Sequence, residues 1–199
     1  NMNEQMLMNT ASSMVKKGKG ILAADESTPT IGKRLQQIGV NSTFETRNEY
    51  RDMLFTANGI ENYISGVIMF DETLRQSTTC SDKTPFVKLL SDKDILPGIK
   101  VDTGAKDLAG ETGEKITEGL DGLRDRLKEY YSIGAKFAKW RAVITIGNGI
   151  PSEHCIIANA HALARYASLC QESNIVPIVE PEVLMNGNHT IETCYDVTN

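Results

Sequence analysis

Pairs of charged residues follow short apolar runs of the sequence, and residues of these types can carry out acid–base chemistry. Lys139 and Arg141 lie two residues apart at the end of one apolar run, and Glu180 and Glu182 lie two residues apart at the end of another. Side chains two residues apart lie on one face of a β-strand. Buried cations need acidic partners, so we expect the two cations and the two carboxylates to converge. Such a set can transfer protons, or it can be a structural ion-pair network.

Further candidate site residues follow two other apolar runs. Asp25 is either an active-site acid or a cap for the next helix. Lys100 stands between Ile99 and Val101, and a buried lysine usually has an ionic partner or a chemical role. The residues that follow Asp25 offer two hydroxyls and two cations: Ser27, Thr30, Lys33 and Arg34. They could bind a phosphate group at a helix N-terminus, or they could belong to a capped helix with a solvated basic end.

The composition is that of an ordinary globular protein. Of the 199 residues, 40% are hydrophobic and 24% are charged, which excludes a disordered chain, a collagen-like chain and a coiled coil. The net charge is −5, and the longest basic run is 15–19, so we expect no nucleic-acid partner. No apolar run approaches the roughly 20 residues that cross a bilayer, and residues 1–20 lack the pattern of a signal peptide. We therefore expect a cytosolic protein with no membrane partner.

The cysteines and histidines do not form a metal-binding pattern. Four cysteines are far apart in the sequence and are predicted to be free thiols: Cys80, Cys155, Cys170 and Cys194. Of the three histidines, His154 and His161 lie about two turns apart on a predicted helix, and His189 is distant from both. We therefore expect no metal ion.

Short apolar runs alternate with longer amphipathic stretches along the chain. The short runs predict strands at 20–24, 66–70, 98–101, 136–141 and 176–180. Apolar residues at helical spacing predict helices around 7–14, 31–38, 50–57, 116–130 and 153–167, while 83–94 and 102–114 are predicted to be exposed loops. This alternation is typical of a parallel sheet with right-handed crossovers, either doubly wound or a barrel.

The residues after the first predicted strand favour the barrel. A doubly wound sheet is expected to have a glycine-rich phosphate loop there, whereas this chain has the stretch 25–30, which contains no glycine. In a barrel, the carboxyl ends of all the strands open onto one face. The charged residues at the strand ends, which include Asp71, Glu72 and Asp102, would then belong to one site.

Five stretches of the chain resemble class I fructose-1,6-bisphosphate aldolases: 18–28, 98–102, 119–123, 137–141 and 175–182. The resemblance extends from about Met6 to the end of the chain. It implies an α/β fold, a (β/α)8 TIM barrel of which the chain supplies about the first five βα units. Residues 1–199 would form a single catalytic domain that is incomplete at its C-terminal end. The resemblance also implies a cytosolic glycolytic enzyme, a homotetramer that takes a sugar-phosphate substrate and uses no cofactor and no metal.

The resemblance also implies roles for individual residues. In that family a lysine forms an imine with the substrate ketone, the C3–C4 bond breaks, and dihydroxyacetone phosphate and glyceraldehyde 3-phosphate leave in turn. Asp25 would act at the C4 hydroxyl and Glu180 would be the general acid and base. Lys139 would stabilise charge, and Glu182 would tune the nucleophilic lysine. The phosphate and hydroxyl groups would be held by Ser27, Thr30, Lys33, Arg34, Lys100 and Arg141, with Arg47 as a further contributor.

Two features depart from the family pattern. Pro29 stands where relatives have a small residue, and we expect a small effect because proline suits the first turn of a helix. The family's imine-forming lysine lies on the sixth strand in a Leu-Glu-Gly-x-Leu-Leu-Lys-Pro stretch that this sequence lacks, so we expect it beyond Asn199. The serine/glycine loop and the arginine of the seventh and eighth strands, which hold the other phosphate, are missing as well.

Three functions remain open from the sequence. The first is an aldolase of which this chain is an incomplete segment, since a (β/α)8 barrel typically needs about 250 residues. The second is a non-catalytic, aldolase-derived module that binds sugar phosphates and lacks the imine lysine. The third is an aldol enzyme that uses Lys139 or Lys100 as its own imine-forming lysine.

Overall fold

The structure is a computed structural model that describes residues 2–199. Its main sheet has five parallel strands, and a two-stranded antiparallel hairpin lies between the third and fourth of them. In chain order the strands are β1 (Gly20–Ala24), β2 (Ile64–Met69), β3 (Leu96–Lys100), β4 (Gly104–Asp107), β5 (Lys115–Glu118), β6 (Phe137–Ile144) and β7 (Val176–Val183). β4 and β5 form the hairpin.

Helices connect the strands of the main sheet. They are α1 (Glu4–Met14), α2 (Thr28–Gln37), α3 (Phe44–Phe55), α4 (Asp71–Leu74), α5 (Phe86–Asp92), α6 (Leu123–Ile133), α7 (Glu153–Glu172) and α8 (Ile191–Thr198), and a 3-10 turn lies at Ile60–Asn62. Within residues 2–199, no helix combines the length and the apolar character that crossing a membrane requires.

The strand order decides between the two predicted architectures. The order across the main sheet is β1-β2-β3-β6-β7, so each parallel strand lies beside the previous one in the chain and the order never reverses. A doubly wound sheet reverses its strand order, whereas a barrel does not. The prediction of a barrel with five βα units is confirmed.

Side chains alternate between the two faces of the sheet. On β6, Trp140 is fully buried against the helices and stacks on Tyr166 of α7, with ring centroids 5.4 Å apart. Lys139 and Arg141 point to the other face, as the period of two predicts. Phe137 belongs to that same face and packs with Ile68 of β2. One face of β6 therefore anchors the sheet to its helices and the other presents charged side chains.

Two predicted loops contain regular structure. The stretch 83–94 includes α5, where Phe86 and Leu90 are fully buried at helical spacing. The stretch 102–114 includes β4, and the predicted helix at 116–130 is wrong at its start, since residues 115–118 form β5 and α6 begins only at Leu123. Gly122 has a φ of 70° and adopts the left-handed conformation directly before α6, which stops the helix from extending towards the hairpin.

The last two strands of the main sheet are longer than predicted. β6 continues to Ile144 and β7 to Val183, so Pro181 and Glu182, which follow the predicted strand at 176–180, lie within β7. Pro181 is tolerated within β7 because this strand is an edge of the sheet in the described residues, where a missing N–H costs no hydrogen bond to a neighbouring strand.

Candidate active site

The carboxyl ends of the five parallel strands surround a cavity of about 950 Å³. Each of these strands contributes charged or polar residues to its lining, directly or from the residues that follow the strand. All the charged residues predicted at the strand ends line this cavity except Glu72, which pairs with Arg47 outside it. The predicted site residues that line the cavity are Asp25, Ser27, Thr30, Arg34, Lys100, Lys139, Arg141, Glu180 and Glu182.

Lys139 is the cation at the centre of this arrangement. Its Nζ donates a hydrogen bond of 2.9 Å to Asp25 Oδ2 and lies 3.9 Å from Glu180 Oε2. Only 13% of the Lys139 side chain and 10% of the Asp25 side chain are exposed, so little water screens the pair. Of the two carboxylates predicted to meet the cations, Glu180 on β7 lies beside Lys139, and Asp25, directly after β1, is a partner that the sequence did not assign to this lysine.

The two glutamates of β7 have different environments. Burial raises the pKa of Glu180, and the neighbouring Glu182 raises it further, against the attraction of Lys139 and Arg141. Glu182 accepts a hydrogen bond from Arg141 Nε, which lowers the pKa of that carboxyl and raises the pKa of Arg141. One carboxyl is thus suited to carry a proton while its neighbour stays ionised, the division of roles that acid–base catalysis requires.

Lys100 has a dedicated partner. Its Nζ donates to Oδ1 of Asp102 and to the Asp102 carbonyl oxygen, the latter at 3.0 Å. Asp102 also accepts from the backbone N–H groups of Gly104, at 3.0 Å, and Arg141, at 3.3 Å. The sequence marked Asp102 only as a charge at a strand end, and the Lys-x-Asp spacing after β3 was the signal that could have assigned it to Lys100.

The predicted phosphate-binding group is only partly assembled at the cavity. Ser27 occupies the N-cap position of α2, but its side chain makes no capping hydrogen bond, and its Oγ lies 3.1 Å from Thr30 Oγ1. Arg34 pairs with Glu26 at 2.9 Å and keeps an exposed side chain at the cavity. Ser27 therefore does not cap α2 through its side chain, and Ser27 and Thr30 both line the cavity.

Two predicted site residues do not line the cavity. Lys33 is exposed on α2, one position away from Arg34 and therefore on another side of the helix. Arg47 on α3 makes a bidentate ion pair with Glu72, at 2.8 and 2.9 Å. The hydrogen bonds to the Glu72 carboxylate raise the pKa of Arg47.

Residues of α6 that the sequence did not single out as site residues also line the cavity. Arg126 donates to the backbone oxygens of Val101 and Gly119, and the hydroxyl of Tyr130 donates to Asp71 at 2.9 Å. Helical spacing identified Tyr130 as a core residue of a helix. A one-dimensional pattern gave no indication that this helix reaches the carboxyl ends of the strands.

Comparisons with known proteins agree with this geometry. A family model described as "Glycolytic: Fructose-bisphosphate aldolase class-I" matches residues 6–199. The chain belongs to the class I fructose-bisphosphate aldolase family. Among aldolases of known structure, it resembles fructose-bisphosphate aldolase from Plasmodium falciparum, solved in complex with TRAP and a small molecule inhibitor. The TM-score is 0.93 with 50% identity, over 98% of this chain and 56% of that chain.

Curated aldolase sequences give the same result. "Probable fructose-bisphosphate aldolase class 1" of Xanthomonas campestris pv. campestris is 60% identical over 197 residues, which is 99% of this chain and 58% of that protein. "Fructose-bisphosphate aldolase 6, cytosolic" of Arabidopsis thaliana is 57% identical over 181 residues, which is 91% of this chain and 50% of that protein. The chain therefore spans between a half and three fifths of the length of these aldolases.

Proposed function

We propose that this chain is part of a fructose-bisphosphate aldolase that reversibly cleaves fructose 1,6-bisphosphate into dihydroxyacetone phosphate and glyceraldehyde 3-phosphate. Family membership supports the reaction, and the observation that carries the proposal is the contact of Lys139 with Asp25 beside Glu180. The chain would supply the first five βα units of a single catalytic domain. It would contribute the proton-transfer residues and part of the phosphate site.

The proposed chemistry assigns the proton transfers to Glu180 and Asp25. A lysine amine adds to the substrate ketone, and Glu180, whose pKa is raised, donates the proton with which the hydroxyl of the adduct leaves as water. Asp25 then accepts the proton of the C4 hydroxyl. The C3–C4 bond breaks, its electron pair moves into the imine, and the aldehyde product leaves.

The cations of the cavity would stabilise the charges of this reaction. Lys139 would stabilise negative charge on the reacting oxygens because it lies between the two carboxylates that exchange protons. Arg141 would hold Glu182 ionised and orient it. Substrate phosphate and hydroxyl groups would contact the remaining polar residues of the lining: Ser27, Thr30, Arg34 and Lys100.

The imine-forming lysine would lie in a part of the enzyme that this sequence does not contain. The chain covers 58% of the Xanthomonas relative, which leaves room for the remaining strands of a barrel. We also propose that the enzyme acts in glycolysis in the cytosol, where the name of the Arabidopsis relative places that protein, and that it assembles as a homotetramer.

The decisive experiment is a chimaera in which this chain is joined to the part of the Xanthomonas relative that it does not match. Cleavage of fructose 1,6-bisphosphate is measured, and borohydride is added with dihydroxyacetone phosphate to trap the imine before peptide mapping. We expect cleavage and a label on a lysine of the added part. A label on Lys139 or Lys100 would show that the imine-forming lysine belongs to this chain, against the proposal. A folded chimaera without cleavage would also contradict the proposal.

A further inference from the structure

Arg51 is a fully buried cation that lies behind the active-site cavity and not in its lining. It belongs to α3 and has an exposed fraction of 0%. Its Nη2 donates a hydrogen bond of 2.7 Å to the backbone carbonyl oxygen of Glu26. Its Nε and Nη1 are buried without a hydrogen-bond partner among the described residues. Among the described residues, the guanidinium thus makes one hydrogen bond, to a backbone oxygen.

That backbone oxygen belongs to the turn that carries the proposed catalytic carboxylate. β1 ends at Ala24, which pairs with Met69 of β2, and α2 begins at Thr28, so only residues 25–27 connect them. The helical hydrogen bonds begin with the carbonyl of Ser27, which accepts from the backbone N–H of Ile31 at 2.9 Å. The Glu26 carbonyl lies between the strand and the helix and is held by Arg51.

The turn is consequently fixed from two sides. The side chain of Asp25 reaches Lys139 in the cavity, and the peptide group between Glu26 and Ser27 is held by Arg51 from α3. Guanidinium hydrogen bonds are directional because the donors lie in a rigid plane. Holding the Glu26–Ser27 peptide restrains the turn on the C-terminal side of Asp25 and so limits the directions in which its carboxylate can point. The same contact restrains the backbone of Ser27 directly.

The environment of Arg51 is unfavourable for a charged side chain. Two buried donors without partners cost free energy, which an apolar side chain of similar size would avoid. Burial lowers the pKa of Arg51, and the nearby Glu26 and Glu72 oppose that shift. Locally unfavourable arrangements, such as this buried guanidinium beside the turn that carries Asp25, are frequent at functional sites.

We propose that Arg51 is a positioning residue of the aldolase site, which holds the 25–27 turn so that Asp25 stays on Lys139. This inference rests on the proposed function for its catalytic meaning, but its structural part is testable without activity. Removal of Arg51 releases the Glu26 carbonyl, loosens Asp25 and uncovers Lys139.

The first test measures the reactivity of Lys139 in the 199-residue chain with an amine-reactive acetylating reagent and peptide mass spectrometry. In Arg51→Met we expect Lys139 to be labelled at least about fivefold faster than in the wild type, because its protection depends on local order. The control is Phe55→Leu on the same helix, which loses packing against Phe86 and does not touch the turn. Equal acceleration in both variants, or none in Arg51→Met, would overturn the proposal.

Arg51→Lys is the second variant and covers the case in which Arg51→Met does not fold. It keeps the charge and one donor but loses the planar geometry, so we expect labelling of Lys139 to be faster than in Phe55→Leu and slower than in a folded Arg51→Met. Labelling of Arg51→Lys at the wild-type rate would show that the directional hydrogen bond is unimportant and would overturn the proposal.

The second test uses the chimaera and separates the two proposals. In Arg51→Met we expect kcat for fructose 1,6-bisphosphate to fall by about tenfold or more with KM within about twofold, because proton transfer depends on placement. Phe55→Leu should keep kcat. A chimaera without any activity rejects the proposed function, while Lys139 labelling still decides the role of Arg51. An active chimaera with unchanged kcat in Arg51→Met rejects only the positioning role.

Discussion

Lys139 Nζ donates a 2.9 Å hydrogen bond to Asp25 Oδ2 across 114 positions of the sequence. Lys139 lies in β6 and Asp25 directly follows β1, and β2 and β3 lie between these strands. In a flat sheet, three strand spacings would separate the two backbones by about 14 Å. Side chains of this length do not bridge that distance with a short hydrogen bond, so the contact depends on the curvature of the sheet. The charged cluster and the barrel-like curl are therefore parts of one arrangement.

The first prediction concerns the stability of this pair. Asp25→Asn removes the nearest carboxylate from a lysine with an exposed fraction of 13%. We expect the free energy of unfolding to fall by about 3 kcal/mol, since breaking a buried ion pair leaves an uncompensated charge. Urea unfolding measures the change.

The control for this prediction is Asp92→Asn. It breaks the pair with Lys88 on α5, whose side chains are 64% and 59% exposed. An exposed pair is worth less than about 1 kcal/mol, so we expect a small effect. Equal losses in the two variants would mean that the Lys139–Asp25 pair has no special weight in stability.

The second prediction is that Glu180 and Glu182 give opposite pH dependences. The pKa of Glu182 is lowered, chiefly by Arg141, so its contribution to stability is present above the ordinary glutamate value of 4.5 and is lost as the pH falls through the lowered pKa. The pKa of Glu180 is raised by burial. Its ionisation therefore reduces stability as the pH rises from that ordinary value through the raised pKa.

Thermal unfolding of two variants between about pH 3 and pH 8 tests this difference. Glu182→Gln should unfold at a lower temperature than the wild type at pH 7, and the gap should close in acid. Glu180→Gln should gain in unfolding temperature relative to the wild type at pH 7, and that gain should also disappear in acid. Gaps of the same sign at pH 7 would contradict the assignment of the two carboxyls.

The sequence predicted the parts of the site that follow from strand periodicity. Lys139 and Arg141 lie on one face with Trp140 on the other because a strand has a period of two, and this holds in any parallel sheet. The choice of a barrel followed from the residues after β1 and from the family resemblance, and the strand order confirms it. Local patterns were sufficient wherever one strand alone sets the direction of a side chain.

Tertiary contacts decided what the sequence did not predict. Arg51 lies on an amphipathic helix, α3, in which apolar residues recur at helical spacing. A charged residue on such a helix is usually assigned to the face that is exposed to solvent. It is buried because α3 packs behind the 25–27 turn, a contact without a periodic signature. The hairpin of β4 and β5 was missed because each strand has only four residues and β4 has an exposed, polar sequence.

The third prediction tests substrate binding by Arg34 and rests on the proposed function. In the chimaera, Arg34→Met should raise KM for fructose 1,6-bisphosphate by about tenfold with little change in kcat, since a charge-assisted hydrogen bond to phosphate is lost. The control is Arg124→Met, which removes an exposed ion pair with Glu172 outside the cavity lining. An unchanged KM in Arg34→Met would remove this residue from the binding site.

The fourth prediction concerns the cavity face of the sheet below the charged layer, where Gly98 lies against the ring of Phe137. A Cβ atom at Gly98 would collide with three atoms of that ring, and one at Gly66 of β2 would lie 2.9 Å from it. Gly98→Ala should lower the free energy of unfolding by about 1–3 kcal/mol, because an overpacked core forces side chains out of their preferred rotamers.

Gly20→Ala in β1 is the matched control, because a Cβ at Gly20 has no atom within 4 Å. We expect it to unfold at the same urea concentration as the wild type or slightly higher, since alanine restricts the unfolded chain. The Phe137 ring fills the space above two neighbouring strands and supports the layer in which Lys100 and Lys139 lie side by side in register. If Gly98→Ala were as stable as Gly20→Ala, the Phe137 ring would be able to shift away from the added methyl group. The ring would then not be a fixed support for the layer that contains Lys100 and Lys139.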